Sequence, residues 1–295
     1  MIYNNKQELL EMLRRNGHYL QKQLGQNFLI NTHVIDQILA AAQINKNDRI
    51  VEVGPGMGIL TNELALLAKD VTTIEYDRSI LDTLHHNLKA HTNVNIINQD
   101  ALKFPLPDYD YKLVANIPYY ITSPLLNHFL NPQAAEDGKE AADGKAIAAS
   151  KSAPKRPSQI VLLVQKEVAE KICAKTGDHS ILSLEVQLFG SPSIETKVAK
   201  SSFFPEPKVD SAILKIETYP NPLVEDTKTF FRLIKAAFNQ RRKTLHNSLK
   251  GGLMLKKEEV DAILKEAGVS PTERPQNLDL ESWQKLVEAY KKRAI

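Results

Sequence analysis

Four consecutive residues, Asn116-Ile117-Pro118-Tyr119, carry the groups needed to hold an amino group on a planar base. The Asn116 side-chain oxygen and the Ile117 carbonyl are acceptors that can favour a pyramidal amino nitrogen and so free its lone pair. Pro118 stiffens the turn, and the Tyr119 ring can stack on the base. The alternative is an ordinary turn at a strand end with a buried tyrosine.

A glycine-rich turn, with Gly54, Gly56 and Gly58, lies upstream of this tetrapeptide. Glycines between a strand and a helix let the backbone approach a ligand closely. Dinucleotide-binding folds use the same device, but their fingerprint requires Gly or Ala where this chain has Ile59. Glu52 precedes the first glycine, where a carboxylate suits an ammonium group better than a pyrophosphate. The pattern therefore predicts S-adenosylmethionine, with Glu52 near its ammonium group.

Two further carboxylates follow the next two predicted strands. Glu75 is placed to accept hydrogen bonds from both ribose hydroxyls, and Asp100 from the adenine amino group of the cofactor. The alternatives are an exposed carboxylate at a strand end and an aspartate that caps a turn. Because the methyl group on a sulfonium is already activated, transfer requires alignment and charge complementarity, and neither a metal nor a strong base.

Alternating apolar patterns predict the elements that position these residues. They indicate an α/β fold, a doubly wound and Rossmann-like parallel sheet in a methyltransferase domain over 1–220, with a small α-helical domain over 221–295. The predicted strands are 49–53, 71–76, 94–98, 112–115, 160–165 and 212–217. The predicted helices are 6–15, 34–42, 59–68, 79–90, 124–130, 228–239, 243–249, 257–267 and 280–290.

Residues 131–159 interrupt the alternation. This segment is rich in Ala, Lys, Gly, Asp and Ser and has no apolar period, so it is predicted to be a disordered surface insertion. Its basic end, with Lys151, Lys155 and Arg156, is a candidate contact with an RNA backbone. A loop without function is the alternative.

A second unusual stretch runs from Phe203 to Val209, with prolines at alternate positions, Pro205 and Pro207. Such prolines favour an extended, rigid loop, which suits the presentation of an aromatic ring to a flipped base. Without that context, Phe203 and Phe204 would be interpreted as core residues.

Composition sets further limits. The 295 residues include 42% hydrophobic residues and one cysteine, Cys173, so we expect a substantial core and neither an internal disulfide nor a thiolate metal site. The sequence has no apolar run long enough to cross a membrane, which predicts a soluble, cytoplasmic protein. No conspicuous apolar stripe is left over once the core is built, so a monomer is the default expectation. From 228 to 257 the charged residues are all basic and include Arg241, Arg242 and Lys243. This run predicts a surface for a polyanion, with an ordinary basic helix as the alternative.

Taken in series, these motifs resemble the ribosomal RNA adenine dimethyltransferases over nearly the whole chain. The resemblance implies that Gln26, Asn27 and Leu29, in Leu24-Gly25-Gln26-Asn27-Phe28-Leu29, contact the cofactor. It also implies cofactor contacts for Glu52, Gly54, Gly56, Gly58, Glu75, Asp100 and Asn116. Asn116, Ile117, Pro118 and Tyr119 match the catalytic motif, and Phe203 matches a ring that stacks on the target adenine opposite Tyr119.

Two segments, 237–245 and 274–278, are similar to the bacterial small-subunit branch of this family. That similarity implies dimethylation of two adjacent adenosines in the 3′-terminal helix of 16S rRNA, within a late 30S precursor, and a role in small-subunit assembly. The 131–159 insertion departs from the family pattern. Three alternatives remain: a 23S rRNA dimethyltransferase of the macrolide-resistance type, a non-catalytic RNA-binding assembly or transcription factor, and a DNA adenine methyltransferase.

Overall fold

The computed structural model describes residues 27–132, 153–240 and 242–293, together with Gln7, Leu10 and Glu11. The chain forms two compact units. The first comprises Met1–Ala169 and Pro192–Thr218, and the second comprises Glu170–Ser191 and Tyr219–Ile295. The predicted domain boundary at 220 lies close to the division at Thr218. The segment Glu170–Ser191, which the sequence placed in the first domain, belongs to the second unit.

The strands are numbered along the chain. They are β1 Phe28–Leu29, β2 Arg49–Val53, β3 Asp70–Glu75, β4 Val94–Asn98, β5 Lys112–Asn116, β6 Gln159–Gln165, β7 Gly190–Val198, β8 Phe203–Phe204 and β9 Ser211–Thr218. The helices are α1 Thr32–Ala42, α2 Ile59–Leu67, α3 Leu81–Leu88, α4 Thr122–Leu130, α5 Lys166–Ile172, α6 Ile181–Gln187, α7 Thr227–Phe238, α8 Leu245–Leu253, α9 Lys257–Ala267 and α10 Leu280–Lys291.

The main sheet has seven strands in the order β4-β3-β2-β5-β6-β9-β7. Neighbouring strands from β4 to β6 are parallel, whereas β9 runs antiparallel to β6, with Ser211 opposite Gln165. The predicted α/β class is confirmed, and the antiparallel β9 makes the sheet mixed instead of wholly parallel. The chain turns back across β2 to reach β5, and open α/β sheets bind ligands at such a switch point.

The core of the first unit explains why these segments become strands. β6, with the sequence Gln-Ile-Val-Leu-Leu-Val-Gln, is buried along nearly its whole length, as expected for a strand covered on both faces. Ile38 of α1 packs into the same hydrophobic cluster as Val114 of β5 and Val161 of β6. Burial on this scale holds the ends of the parallel strands in register.

The structure also contains strands that the sequence did not predict. In β7, Pro192 and Thr196 occupy half-buried positions where an apolar alternation would be expected, so the period of two is not visible in the sequence. The two-residue strands β1 and β8 pair antiparallel, with Phe28 opposite Phe204 and Leu29 opposite Phe203. Two residues are too few to show any period.

The predicted insertion is only partly described, because 133–152 lie outside the described residues. Its last part differs from the prediction of disorder. The Lys155 N–H donates to the Pro107 carbonyl at 2.8 Å, and the Ser158 N–H donates to the Tyr111 carbonyl at 2.8 Å. These bonds are needed to bring the chain beside β5 at the start of β6. The Lys155 ammonium pairs with Asp110 at 2.9 Å, so its charge is engaged within the first unit.

The second unit is helical over its described residues, apart from the first two residues of β7. Trp283 of α10 is fully buried, and its ring lies 6.3 Å from Phe230 and 6.4 Å from Phe238, measured between centroids. Gly252, which lies beyond the predicted end of the helix at 249, is inside α8. A Cβ there would come within 2.7 Å of Ala236, so glycine permits close contact with α7. Among the described residues, no helix is long and apolar enough to cross a membrane.

Candidate functional site

A cavity of about 480 Å³ opens at the carboxyl ends of β2, β3 and β5. Most of the sequence-predicted site residues line it together. Those predicted to bind the cofactor are Asn27, Leu29, Glu52, Gly54, Gly56, Glu75, Asp100 and Asn116, and the remainder of the tetrapeptide is Ile117, Pro118 and Tyr119. Gly58 and Phe203 do not line the cavity, and Gln26 lies outside the described residues.

The glycine turn forms one wall, and two of its glycines act differently. Gly56 has a φ of +57°, and a Cβ there would lie 3.3 Å from the Phe28 ring, so the turn and β1 approach closely only because the side chain is missing. Gly58 has a φ of +84°, and a Cβ there would lie 2.9 Å from Leu84 of α3. The structure therefore places Gly58 in helix packing, whereas the sequence assigned it to the cofactor.

Glu75 ends β3 and faces the glycine turn. Its carboxylate accepts the Asp77 N–H at 2.7 Å and the Gly56 N–H at 3.3 Å. Burial raises the pKa of Glu75 from 4.5 to about 7, against the lowering effect of these two backbone bonds. A bound ligand that donates hydrogen bonds to this carboxylate would favour its ionised form.

Glu52 is a second buried carboxylate in the same cavity, with 1% of its surface exposed. The Thr61 hydroxyl of α2 donates to it at 2.6 Å. Burial raises the pKa of Glu52 from 4.5 to about 7, the Thr61 bond opposes that rise, and the charge of Glu75 adds to it. Two buried carboxylates that are costly to ionise suit a ligand that brings positive charge or hydrogen-bond donors.

Asp100 lies beyond the end of β4. It accepts the Leu102 N–H at 3.0 Å and so caps the single helical turn Ala101–Lys103. The alternative considered from the sequence was that Asp100 only caps a turn, and the structure shows that it does make this capping contact. Asp100 also lines the cavity, and a carboxylate with a second oxygen can serve both purposes.

The tetrapeptide forms the opposite wall, at the end of β5. Its turn is fixed by two hydrogen bonds, from the Ile121 N–H to the Pro118 carbonyl at 3.2 Å and from the Thr122 hydroxyl to the Tyr119 carbonyl at 2.9 Å. No residue of the described chain hydrogen-bonds to the Asn116 side-chain amide. The Tyr119 hydroxyl lies 2.6 Å from the Ser211 hydroxyl. Burial raises the pKa of Tyr119, so its hydroxyl is neutral near pH 7.

Phe203 was predicted to stack on the target base, but it lies in the hydrophobic core and not at the cavity. Its side chain is 2% exposed and belongs to the core cluster that also contains Leu29 and Ile213. Pairing of β8 with β1 turns it inward. The half-buried Phe204 packs instead beside Phe28 and Met57, both of which line the cavity.

Several cavity residues were missed by the sequence analysis. Tyr76 and Tyr120 are 66% and 64% exposed and lie at the cavity. Asp77, also at the cavity, accepts both the N–H and the hydroxyl of Ser79 at 2.9 and 2.6 Å. Each of these residues lies within two positions of a predicted site residue in the sequence, and that proximity is the signal by which they could have been found.

The basic run of the second unit is largely exposed. On α7, Lys228, Arg232 and Lys235 share the solvent side, and the Arg232 guanidinium lies 5.5 Å from the centroid of the Tyr290 ring. Arg242 and Lys243 are also exposed, whereas Arg241 lies outside the described residues. Within the described ranges, no group of three or more His, Cys, Asp or Glu side chains is arranged to hold a metal ion.

Comparison with known proteins adds the following matches. The family model described as "Ribosomal RNA adenine dimethylase" matches residues 17–292. The protein named "Ribosomal RNA small subunit methyltransferase A" from Dehalococcoides mccartyi strain CBDB1 is 40% identical over 277 residues, which are 92% of this chain and 88% of that protein. The protein of the same name from Clostridioides difficile strain 630 is 37% identical over 285 residues, 92% of this chain and 91% of its own length.

Two solved structures are similar over most of the chain. A dimethyladenosine transferase from Plasmodium falciparum is 28% identical, with a TM-score of 0.74, and the match covers 90% of this chain and 98% of that one. The 23S rRNA methyltransferase ErmE is also 28% identical, with a TM-score of 0.66, and covers 90% of this chain and 100% of its own.

Proposed function

This chain belongs to the ribosomal RNA adenine dimethylase family, and from that premise we propose that it dimethylates N6 of two adjacent adenosines in the 3′-terminal helix of 16S rRNA. S-adenosylmethionine is the methyl donor. The observation that carries the proposal is a single cavity lined both by the buried carboxylates Glu52 and Glu75 and by the Asn116–Tyr119 tetrapeptide.

The residues of the cavity fit this cofactor. Gly56 lets the turn approach β1 closely beside the cavity, and Glu75, which would accept the ribose hydroxyls, already accepts hydrogen bonds from two backbone N–H groups. Asp100 would accept from the adenine amino group, and Glu52 would face the ammonium group. Both glutamates are easier to ionise once such donors are present, so their raised pKa values support the assignment.

The tetrapeptide supplies the chemistry at the acceptor base. When bound, the cofactor provides a methyl group activated by its sulfonium centre. The Asn116 side-chain oxygen and the Ile117 carbonyl would accept hydrogen bonds from the amino group of adenine, which favours a pyramidal nitrogen whose lone pair is free to react. The Tyr119 ring would stack on the base, and stacking of this kind contributes about 1–3 kcal/mol. The chain mainly contributes alignment by fixed groups. The nitrogen that gains the methyl group becomes acidic and releases one proton to solvent, so no titrating base is required.

The small-subunit branch is favoured over the 23S branch by sequence identity. Relatives named for the small subunit are 36% to 40% identical to this chain, whereas the 23S rRNA methyltransferase ErmE is 28% identical. The similarity to ErmE keeps 23S rRNA as the second candidate substrate, because the chemistry at N6 is the same.

The proposed partner is 16S rRNA within the 30S subunit or its precursor, in the cytoplasm, with the protein acting as a monomer and contributing to subunit assembly. The helical domain, predicted over 221–295, would bind RNA through Arg241, Arg242 and Lys243. Exposure of Arg242 and Lys243 supports this role.

The test is transfer of labelled methyl from S-adenosylmethionine to undermethylated 30S particles, with undermethylated 50S particles in parallel and Asn116→Ala as control. We expect label in 16S dimethyladenosine and none with the variant. Label in 23S rRNA would move the chain to the other branch. Binding to 30S particles without label anywhere would favour a non-catalytic assembly factor.

A further inference from the structure

The loop that begins at Phe203 contacts the site through its far end. Ser211, the first residue of β9, is fully buried, and its hydroxyl lies 2.6 Å from the Tyr119 hydroxyl. The Ser211 backbone is held opposite Gln165 in the antiparallel pairing of β9 with β6. The serine is therefore a fixed point on the sheet, adjacent to one wall of the cavity.

The contact constrains the tyrosine at both ends. At its backbone end, the turn from Pro118 to Thr122 is fixed by the hydrogen bonds described above. At the other end the Tyr119 hydroxyl is hydrogen-bonded to the Ser211 hydroxyl. No other described residue hydrogen-bonds to the Ser211 side chain. A tyrosine restrained by its backbone turn and by its hydroxyl keeps one χ1 rotamer. The orientation of the ring on which a base can stack is then fixed before the base binds.

We propose that Ser211 is a positioning residue, which holds the Tyr119 ring in the orientation needed for the target adenine. The inference rests on the proposed function, because it assigns a role to Tyr119 in base binding. It gives the 203–211 loop a contribution to the site that does not depend on the buried Phe203. Ser211 itself touches neither substrate nor cofactor.

The test compares Ser211→Ala, Ser211→Thr and Tyr119→Phe, singly and with the Ser211→Ala/Tyr119→Phe double variant, on undermethylated 30S particles. Ser183→Ala serves as the matched control, because Ser183 is also fully buried but lies in the second unit. Loss of one hydrogen bond predicts a fall in kcat of roughly threefold to tenfold for Ser211→Ala and for Tyr119→Phe. The double variant should lose no more than either single variant, and Ser211→Thr, which keeps the hydroxyl, should recover most of the rate.

Affinity for S-adenosylmethionine, measured by calorimetry, should be unchanged in all these variants. Wild-type kcat in Ser211→Ala, or in Tyr119→Phe, would overturn the proposal. Losses that multiply in the double variant would also overturn it, because the two hydroxyls would then act independently. If Ser211→Ala does not fold, Tyr119→Phe removes the same hydrogen bond from the tyrosine side, and its kcat alone then tests the proposal. Failure of the proposed function is distinguishable, since the wild-type protein would then label no 16S rRNA.

Discussion

Glu52 provides a direct test of how the cavity is built, through the substitution Glu52→Gln. Glutamine keeps the size of the side chain and an oxygen to accept the Thr61 hydroxyl at 2.6 Å, but it cannot ionise. In the wild-type protein without ligand, burial raises the pKa of Glu52 from 4.5 to about 7. The folded state therefore favours the neutral carboxyl, and the unfolded chain favours the charged one.

The sign and size of the effect follow from linkage. Because the folded pKa is the higher of the two, the stability that Glu52 contributes is fully present below pH 4.5 and is lost as the pH rises through about 7. At about 1.4 kcal/mol for each pKa unit, the whole change corresponds to about 3 kcal/mol. Most of it, about 2 to 3 kcal/mol, falls between pH 5 and pH 8.5. The variant does not undergo this loss.

The assay is urea unfolding of wild type and Glu52→Gln, both without ligand, at pH 5 and at pH 8.5. The free energy of unfolding of the variant, relative to wild type, should increase by about 2 to 3 kcal/mol across that range. Glu281→Gln, at an exposed position on α10, should stay within about 0.5 kcal/mol of wild type at both values. A constant difference between Glu52→Gln and wild type would refute the reasoning, because it would mean that Glu52 ionises at its ordinary pKa.

Cofactor binding tests the role of Glu52 separately from its stability effect. Wild-type affinity for S-adenosylmethionine should fall as the pH drops below about 7, since the ligand then has to bind a neutral carboxyl. Glu52→Gln should bind more weakly than wild type at pH 8.5. Equal affinity there would show that Glu52 does not face the ammonium group.

Three further outcomes are expected. Asn116→Ala should abolish methyl transfer while calorimetry shows nearly unchanged binding of S-adenosylmethionine; a loss of binding with residual transfer would mean a structural role. Phe203→Ala, which truncates a side chain that is 2% exposed, should destabilise the protein by about 3 to 5 kcal/mol in urea unfolding. Phe203→Leu should restore most of that stability and keep turnover near the wild-type value, because the ring lies in the core; a turnover about tenfold lower would show that the ring also stacks on the base. Replacing exposed Arg242 or Lys243 by Ala should reduce the slope of log K for RNA against log salt by about 0.7 to 0.9 for each phosphate that the protein no longer neutralises, whereas Lys285→Ala should leave the slope unchanged.

The parts of the fold that follow from the sequence are those with a strong apolar period. The strands at 49–53 and 94–98 and the helix at 257–267 have the predicted bounds. In these segments the local apolar pattern favours the observed structure, and no distant partner is needed to recognise them.

The parts that did not follow depend on distant pairing or on a break in pattern. Pro192 interrupts the strand pattern of β7, so that strand could not be recognised from the sequence. The 203–204 segment is a strand only because it pairs with Phe28 and Leu29. The same limit applies to the site. The positions of Glu52, Glu75 and Asn116 at the ends of parallel strands could be predicted from spacing, whereas the burial of Phe203 and the contact between Tyr119 and Ser211 could not, because both depend on side chains brought together by the sheet.

The pairing of β1 with β8 has a consequence for the order in which the site can form during synthesis. The Asn31 side chain donates to the Ser202 hydroxyl at 3.2 Å, and these two residues are 171 positions apart in the chain. The Ile30 N–H also donates to the Ser202 carbonyl at 2.9 Å. The strands that bear Glu52, Glu75 and Asn116 leave the ribosome long before Phe204 does, so in a nascent chain these residues can come together while Phe28 and Leu29, which line the cavity, still lack their β8 partner. A growing chain therefore cannot hold Phe28 and Leu29 in their strand at the cavity until the 203–204 segment has emerged and paired with them.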